Sequence, residues 1–344
     1  MKVCCLGDVV FSTPLARALK KQWPDAELTY LTGTFSRPLA ERVPGVNRVL
    51  TLPDGVFGRL RFLFALRHEH FDLALCLHKS WAAAAGLWLT RAARRVGFDW
   101  EGNRSFFTDS VPFDLRMHEV RRYLSLLAPL NVEVDGEHCA LTLPADARAE
   151  AETRLRKLGW DGRPLAALFP GGGANPGTVL LAKRWTLEGF QVLAASLAKS
   201  GFQVLALGGP GEEALGKAVV KGLGKDGLDL CGQTSLPGLL GLLACCSYFV
   251  GGDSGPVHFA AALGVPTLTL FGPTEPGQWA PLGGPHAHVW RQLPCSPCFT
   301  PQEKLSARFK ACPDWACLQQ MPSYQVISAA EKQLRQLNLQ GIRI

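Results

Sequence analysis

Nowhere do the 344 residues contain an uncharged apolar run of about 18, the length a helix needs to cross a bilayer. The opening Met1-Lys2-Val3-Cys4-Cys5-Leu6 is too short for the apolar stretch of a secretory leader, and Gly7-Asp8 interrupts it, so no leader is expected. No lysine and arginine run is dense enough to indicate nucleic acid, and no short-period repeat is visible. No G-x-G-x-x-G follows the first apolar run, which argues against a dinucleotide-dependent oxidoreductase. With no leader, the 11 cysteines point to a reducing compartment, the cytoplasm, where they serve as core residues, metal ligands or catalytic groups rather than staples.

What is present is an ordinary globular composition, 47% hydrophobic and 19% charged, with length for about two domains. The formal charge of +7 draws heavily on first-half arginines, among them Arg59, Arg61, Arg67, Arg91, Arg94 and Arg95. A basic face suits phosphates or an acidic membrane surface, and it is equally what a solvated surface looks like. Apolar runs at 2–6, 27–31, 49–52 and 72–77 read as strands. Helical patterns at 13–22, 59–68, 81–91 and 117–130 stand between or after them. The rhythm restarts after 144–158: strands at 165–169, 202–207, 248–251 and 267–271, helices at 187–199, 236–244, 257–263 and 325–337. Strands alternating with helices imply parallel, doubly wound sheets, one in each half. The expected division is 1–150, 151–322 and a closing helix in 323–344.

Chemistry-bearing residues fall in the loops that follow strands. Asp8, in Gly7-Asp8-Val9-Val10-Phe11-Ser12-Thr13-Pro14, is placed either to take a proton from a sugar hydroxyl or merely to satisfy loop amides. Ser12 or Thr13 can cap the helix that begins at Pro14. Pro170-Gly171-Gly172-Gly173 lets backbone amides approach an anion, and Lys183 can neutralise a diphosphate. In Gly208-Gly209-Pro210-Gly211-Glu212-Glu213, Glu212, ahead of Glu213, can reach a ribose hydroxyl or can be a plain helix-start acid. Gly251-Gly252-Asp253-Ser254-Gly255-Pro256-Val257-His258 is the most specific block: free amides at a helix start make an anion site, Ser254 adds a hydroxyl, and His258 either holds the loop or approaches the phosphate. Phe271-Gly272-Pro273-Thr274 forms a rigid turn beside it. Cys295, Cys298, Cys312 and Cys317 have C-x2-C and C-x4-C spacing, which can hold zinc or iron structurally or can pack a loop as reduced thiols.

The order of these blocks along nearly the whole chain, with Lys183-Arg184-Trp185 and Gly232-Gln233-Thr234-Ser235-Leu236, resembles glycosyltransferase family 9, the ADP-heptose:lipopolysaccharide heptosyltransferases. The resemblance implies a GT-B fold: two Rossmann-like domains facing a central cleft, the first taking the acceptor and the second the nucleotide sugar, with the last helix packing back on the first domain. It implies inverting transfer with no metal or other cofactor needed for catalysis. Asp8 would be the general base, Lys183, Ser254 and Gly255 would hold the diphosphate, Glu212 the ribose, and Thr234 would lie beside adenine. Asp253 would contact the sugar or order the phosphate loop. The partners implied are ADP-heptose or a related nucleotide sugar and a lipopolysaccharide-type acceptor, met peripherally at the inner membrane. A protein O-heptosyltransferase and a catalytically impaired sugar-nucleotide-binding relative are the alternatives that share these motifs.

Overall fold

The computed structural model describes residues 1–3, 5–172, 174–175, 178–300 and 307–337, with backbone alone at 174–175 and 178–179. The chain forms two compact units, Met1–Thr142 and Leu143–Ile344. The division falls at 142/143 rather than 150/151 because helix α7 (Ala147–Lys157) buries Ala151 and Leu155 within the second unit, where Gly241 of α10 (Leu236–Ala244) lets the two helices close up.

In the first unit, β1 (Thr29–Gly33) pairs in parallel with β2 (Arg48–Leu52), and β3 (Leu73–Leu75), β4 (Arg94–Asp99) and β5 (Asp109–Pro112) form a second parallel sheet in that order. Residues 1–3 bridge the two. Lys2 N donates to Leu31 O at 3.0 Å and Gly33 N to Val3 O at 3.1 Å, while Met1 N donates to Leu75 O at 2.7 Å and Leu77 N to Met1 O at 3.1 Å. The extended segment expected over 2–6 is therefore shorter. Cys5 turns into the left-handed region at φ 68°, and helix α1 (Leu6–Phe11) starts immediately after. Helix α2 (Thr13–Gln22) buries the expected stripe of Leu15, Ala16, Ala18 and Leu19. Its cap differs from expectation: the Ser12 hydroxyl donates back to Val9 O at 2.7 Å and that of Thr13 to Val10 O at 2.8 Å, so both tie off α1 rather than open α2. Around the sheets lie α3 (Arg37–Ala40), α4 (Val56–Ala65), α5 (Trp81–Leu89) and α6 (Glu119–Ser125).

The second unit is built on one six-stranded sheet. Its strands are β6 (Leu165–Phe169), β9 (Gln203–Ala206), β10 (Gly227–Asp229), β11 (Tyr248–Gly252), β12 (Thr267–Phe271) and β13 (Ala287–Trp290), and its order is β10-β9-β6-β11-β12-β13, all parallel. A small antiparallel pair, β7 (Ala174–Asn175) with β8 (Thr178–Val179), stands apart from it. The central strands are buried along their whole length, as parallel strands covered on both faces must be. Covering and connecting helices are α8 (Leu187–Lys199), α9 (Glu213–Val219), α10, α11 (Gly255–Ala262), α12 (Pro276–Trp279), α13 (Ala307–Lys310), α14 (Ala316–Gln319) and α15 (Ser323–Leu337). The last of these contributes to the second unit's core. Val326, Ala330 and Leu334 of α15 sit in the second unit's core with Phe190, Leu193 and Leu197 of α8. Its buried Gln333 accepts from Tyr248 Oη at 2.8 Å and donates to Thr267 O at 3.0 Å and to Pro285 O at 2.7 Å. This apolar face of α15 therefore serves the second unit's core.

Candidate active site

The order of the six-stranded sheet decides where a ligand belongs. From β6 the chain winds outward through β9 to β10, then crosses back to β11 and winds the other way through β12 to β13. The reversal lies between the adjacent strands β6 and β11, and doubly wound sheets bind ligands at the carboxyl ends of strands at such a point. The loop after β6 carries Gly171 and Gly172, and the loop after β11 carries Asp253 and Ser254. They meet: a Cβ on Gly172, which has φ +95°, would lie 3.0 Å from Ser254 Oγ.

Asp253 is buried at the centre of a polar cluster. Its Oδ2 lies 2.8 Å from Lys183 Nζ and accepts the Thr274 hydroxyl at 2.8 Å, and its Oδ1 stands 3.7 Å from His258 Nε2, one turn into α11. Lys183 also reaches Asp253 O at 3.3 Å and sits 5.1 Å above the Phe299 ring. Burial by itself would raise the Asp253 pKa, but the Lys183 ammonium and His258 outweigh it and hold the carboxyl well below the usual carboxylate range. The cluster therefore keeps an ionised acid and a cation at the mouth of α11. There Ser254 occupies the cap position with extended backbone (φ −154°, ψ 169°) and does not cap the helix with its own side chain. Amide hydrogens and the positive end of the helix dipole at Ser254 and Gly255 fit an anion.

Glu212 does something the sequence did not indicate. One oxygen accepts Gly172 N at 2.9 Å and Arg184 Nη2 at 2.6 Å, and the other accepts Gly209 N at 2.8 Å. Arg184 Nε donates in turn to Gly172 O at 3.0 Å. Glu212 thus latches the loops after β6 and β9 together, which leaves about one of a carboxylate's four acceptor positions for a ribose hydroxyl. The Gly172 amide, expected to face an anion, is spent on this latch, and Gly173 lies outside the described residues. Gly232 N bonds Gly208 O at 3.0 Å, which anchors the turn leading to Thr234 and to Ser235, the cap of α10. Thr234 is half-buried there and is not part of the Asp253 cluster.

In the first unit Asp8 occupies the first turn of α1, not a loop, and its Oδ2 is 3.0 Å from Lys2 Nζ. Lys2 is buried, donates to Leu77 O at 3.4 Å and lies 5.2 Å over the ring of Tyr123. Burial, with the Asp8 charge added, pushes the Tyr123 hydroxyl pKa well up, so Tyr123 presents a neutral ring to this pair.

The model for glycosyltransferase family 9 (heptosyltransferase) matches residues 59–307. The chain belongs to glycosyltransferase family 9. It is 29% identical over 301 residues to the lipooligosaccharide heptosyltransferase 2 of Haemophilus ducreyi, covering 80% of this chain and 83% of that protein. The crystal structure of a glycosyl transferase family 9 protein from Veillonella parvula superposes with a TM-score of 0.80 at 22% identity, covering 97% of this chain and 95% of the other. That of the E. coli ADP-heptose lps heptosyltransferase II does so at 0.77 and 22%, covering 98% and 99%. Both likenesses agree with the GT-B architecture of two Rossmann-like units.

For this family 9 member the blocks read from sequence fall into two groups. Lys183, Asp253, Ser254, Gly255 and His258 assemble around the start of α11, and Asp8 is joined to Lys2 in the other unit. Lys2, Arg184 and Thr274 were missed as participants. A lysine within an apolar strand was the available signal for Lys2, since buried lysines are rare unless paired. The cysteines were read either as ligands of a structural zinc or iron or as reduced thiols packing a loop. Among the described residues no group of three or more His, Cys, Asp or Glu is placed to hold a metal ion. Burial raises the Cys298 pKa and pushes that of Cys317 to about 11, with Cys312 and Cys295 adding to both.

Proposed function

We propose that this chain is an inverting heptosyltransferase that moves heptose from ADP-heptose to a hydroxyl of a lipid-linked lipopolysaccharide inner-core acceptor. The observation that carries the reading is the anion site at the sheet's reversal, where Lys183 and the α11 amides at Ser254 and Gly255 fit a diphosphate. The heptosyltransferases named above support the choice of sugar and acceptor. In the proposed step Asp8 takes the proton of the acceptor hydroxyl as its oxygen bonds to the anomeric carbon of heptose. The bond from that carbon to the diphosphate breaks, and ADP leaves with the electron pair. Charge builds on the diphosphate, where preorganised donors count most, at about 3–4 kcal/mol for one such contact. Thr234 is assigned to the adenine side and Glu212 to the ribose edge, in addition to its latch. Asp253 orders Lys183 and the phosphate loop. Because the acceptor is lipid-linked, the proposed place of action is the cytoplasmic face of the inner membrane, reached peripherally; among the described residues no helix is long and apolar enough to cross a bilayer.

The test is ADP release from a panel of nucleotide sugars, with a lipopolysaccharide core fragment as acceptor. ADP-heptose is the expected donor, and Asp8→Asn should keep ADP affinity while abolishing transfer. Turnover by Asp8→Asn at the original rate would remove Asp8 as the base, and indifference to ADP-heptose would remove the assignment of donor.

A further inference from the structure

We infer that helix α4 is a membrane-docking surface that seats its apolar side chains among the headgroups of a bilayer rich in anionic lipid. The inference deepens the proposed lipid-linked acceptor by naming the face that meets the lipid. Helix α4 buries only Leu63, whereas Phe57 is 88% exposed, Val56 70%, and Leu60 and Phe64 nearly half. At 100° per residue, Val56, Phe57, Leu60 and Phe64 fall in one arc of about 100°, with Arg61 at one edge and Arg59 beyond Leu63 at the other. Exposed large apolar residues are unremarkable singly; four in one stripe mark an interaction site. Leu63, beside the stripe, is the residue of α4 that meets Gly86 of α5, which leaves the stripe itself uncovered.

The charge beside this stripe selects the occupant. Arg59 and Arg61 are exposed, and the Arg67 guanidinium lies 3.8 Å over the Phe64 ring. Among the described residues none of the three forms an ion pair, while the neighbouring Glu69 is taken by Arg48 at 2.8 Å and Asp54 is the other acid of the segment. An apolar stripe with two phenylalanines, edged by arginine, suits the water-facing layer of an anionic bilayer, where rings sit at headgroup depth and guanidinium groups pair with phosphate.

Co-sedimentation of the full chain with vesicles tests this. Vesicles of phosphatidylethanolamine and phosphatidylglycerol should carry the protein down, pure phosphatidylcholine far less, and added salt should weaken the difference. Phe57→Ser with Phe64→Ser should lower partition roughly tenfold or more without changing the circular dichroism spectrum. Arg59→Gln with Arg61→Gln should lower it roughly fivefold per charge removed on anionic vesicles only. Wild-type partition by the serine pair, no binding to either vesicle, or a phenylalanine stripe whose loss instead splits a dimer would each overturn the proposal. ADP affinity, read in parallel, should be the same in all variants. A chain that binds vesicles but not ADP would remove the heptosyltransferase reading and leave this surface standing.

Discussion

A lysine that abandons water needs an anion, and Lys2 has Asp8. The pairing answers a requirement of the proposed chemistry: a base must hold one orientation toward the proton it takes, and the Lys2 ammonium 3.0 Å away fixes the Asp8 carboxylate. Lys2 touches the base rather than the substrate, so it is a positioning residue. Lys2→Met should leave ADP affinity and acceptor KM near their original values and reduce kcat, as expected when a base loses the contact that orients it. An unchanged kcat would reduce Lys2 to a packing residue. The sequence marked Asp8 through the Gly7-Asp8 step and its place after an apolar run, but gave no hint of its partner, because strand-to-helix contact depends on the turn at Cys5. Asp253 and Lys183 are 70 residues apart, and Thr274 joins them from the turn after β12. Their loops were legible as glycine-rich punctuation; the ion pair inside was not, since sheet order rather than spacing creates it.

At the level of elements, the long apolar strands of the second sheet were readable because strands buried on both faces are continuous apolar runs. Strand β4 was not. It opens with Arg94-Arg95, and only the fold shows Arg94 paired with Asp109 of β5 at 2.9 Å and Arg95 Nε bonded to Phe106 O at 3.0 Å. The glycine loop after β6 was read for anion approach, whereas Gly171 is constrained by its neighbour: a Cβ there would sit 2.2 Å from the Glu212 carboxylate. Gly171→Ala should therefore drive Glu212 off Gly172 N and Gly209 N, destabilising the second unit by about 1–3 kcal/mol and weakening ADP binding. Urea unfolding and ADP titration measure both, and wild-type values in the two would mean that the latch has no consequence. The sheet's far edge carries a pH dependence. His286, before β13, has Nδ1 at 3.1 Å from Thr267 Oγ1, and burial, with the His258 charge added, lowers its pKa from 6.5 to about 4. The unfolded chain thus binds that proton first. Its contribution to stability is whole above pH 6.5, declines as pH falls from 6.5 to about 4, and is flat below that. Since the ring is partly exposed, about 1–3 kcal/mol is at stake after screening. The urea midpoint of His286→Gln should fall less steeply over this window than that of the parent; equal slopes would assign the loss to other groups.

Across the whole chain the two units are built to different tightness. The second has one six-stranded sheet, a core that runs from α8 through the sheet to α15, and the buried Gln333 binding helix to strands. The first has sheets of two and three strands joined through residues 1–3, and a cavity of about 810 Å³ lined by Leu15 and Leu19 of α2, Tyr30 and Leu31 of β1, and Leu73 and Leu75 of β3. Residues lining an open pocket lack packed neighbours on one side, and short sheets have few interior strands, so the first unit should open more readily. Amide exchange of the full chain should show β1 and β3 exchanging faster than β6 and β11. ADP, whose proposed contacts all lie in the second unit, should then act on one pattern and not the other. At a free concentration of 100 times Kd it should add about 2.7 kcal/mol to the slowest-exchanging amides of β6 and β11 and nothing to those of β1 and β3. Equal slowing in both would mean that the units unfold as one cooperative body. Slowing confined to the first would move the nucleotide site out of the sheet reversal altogether.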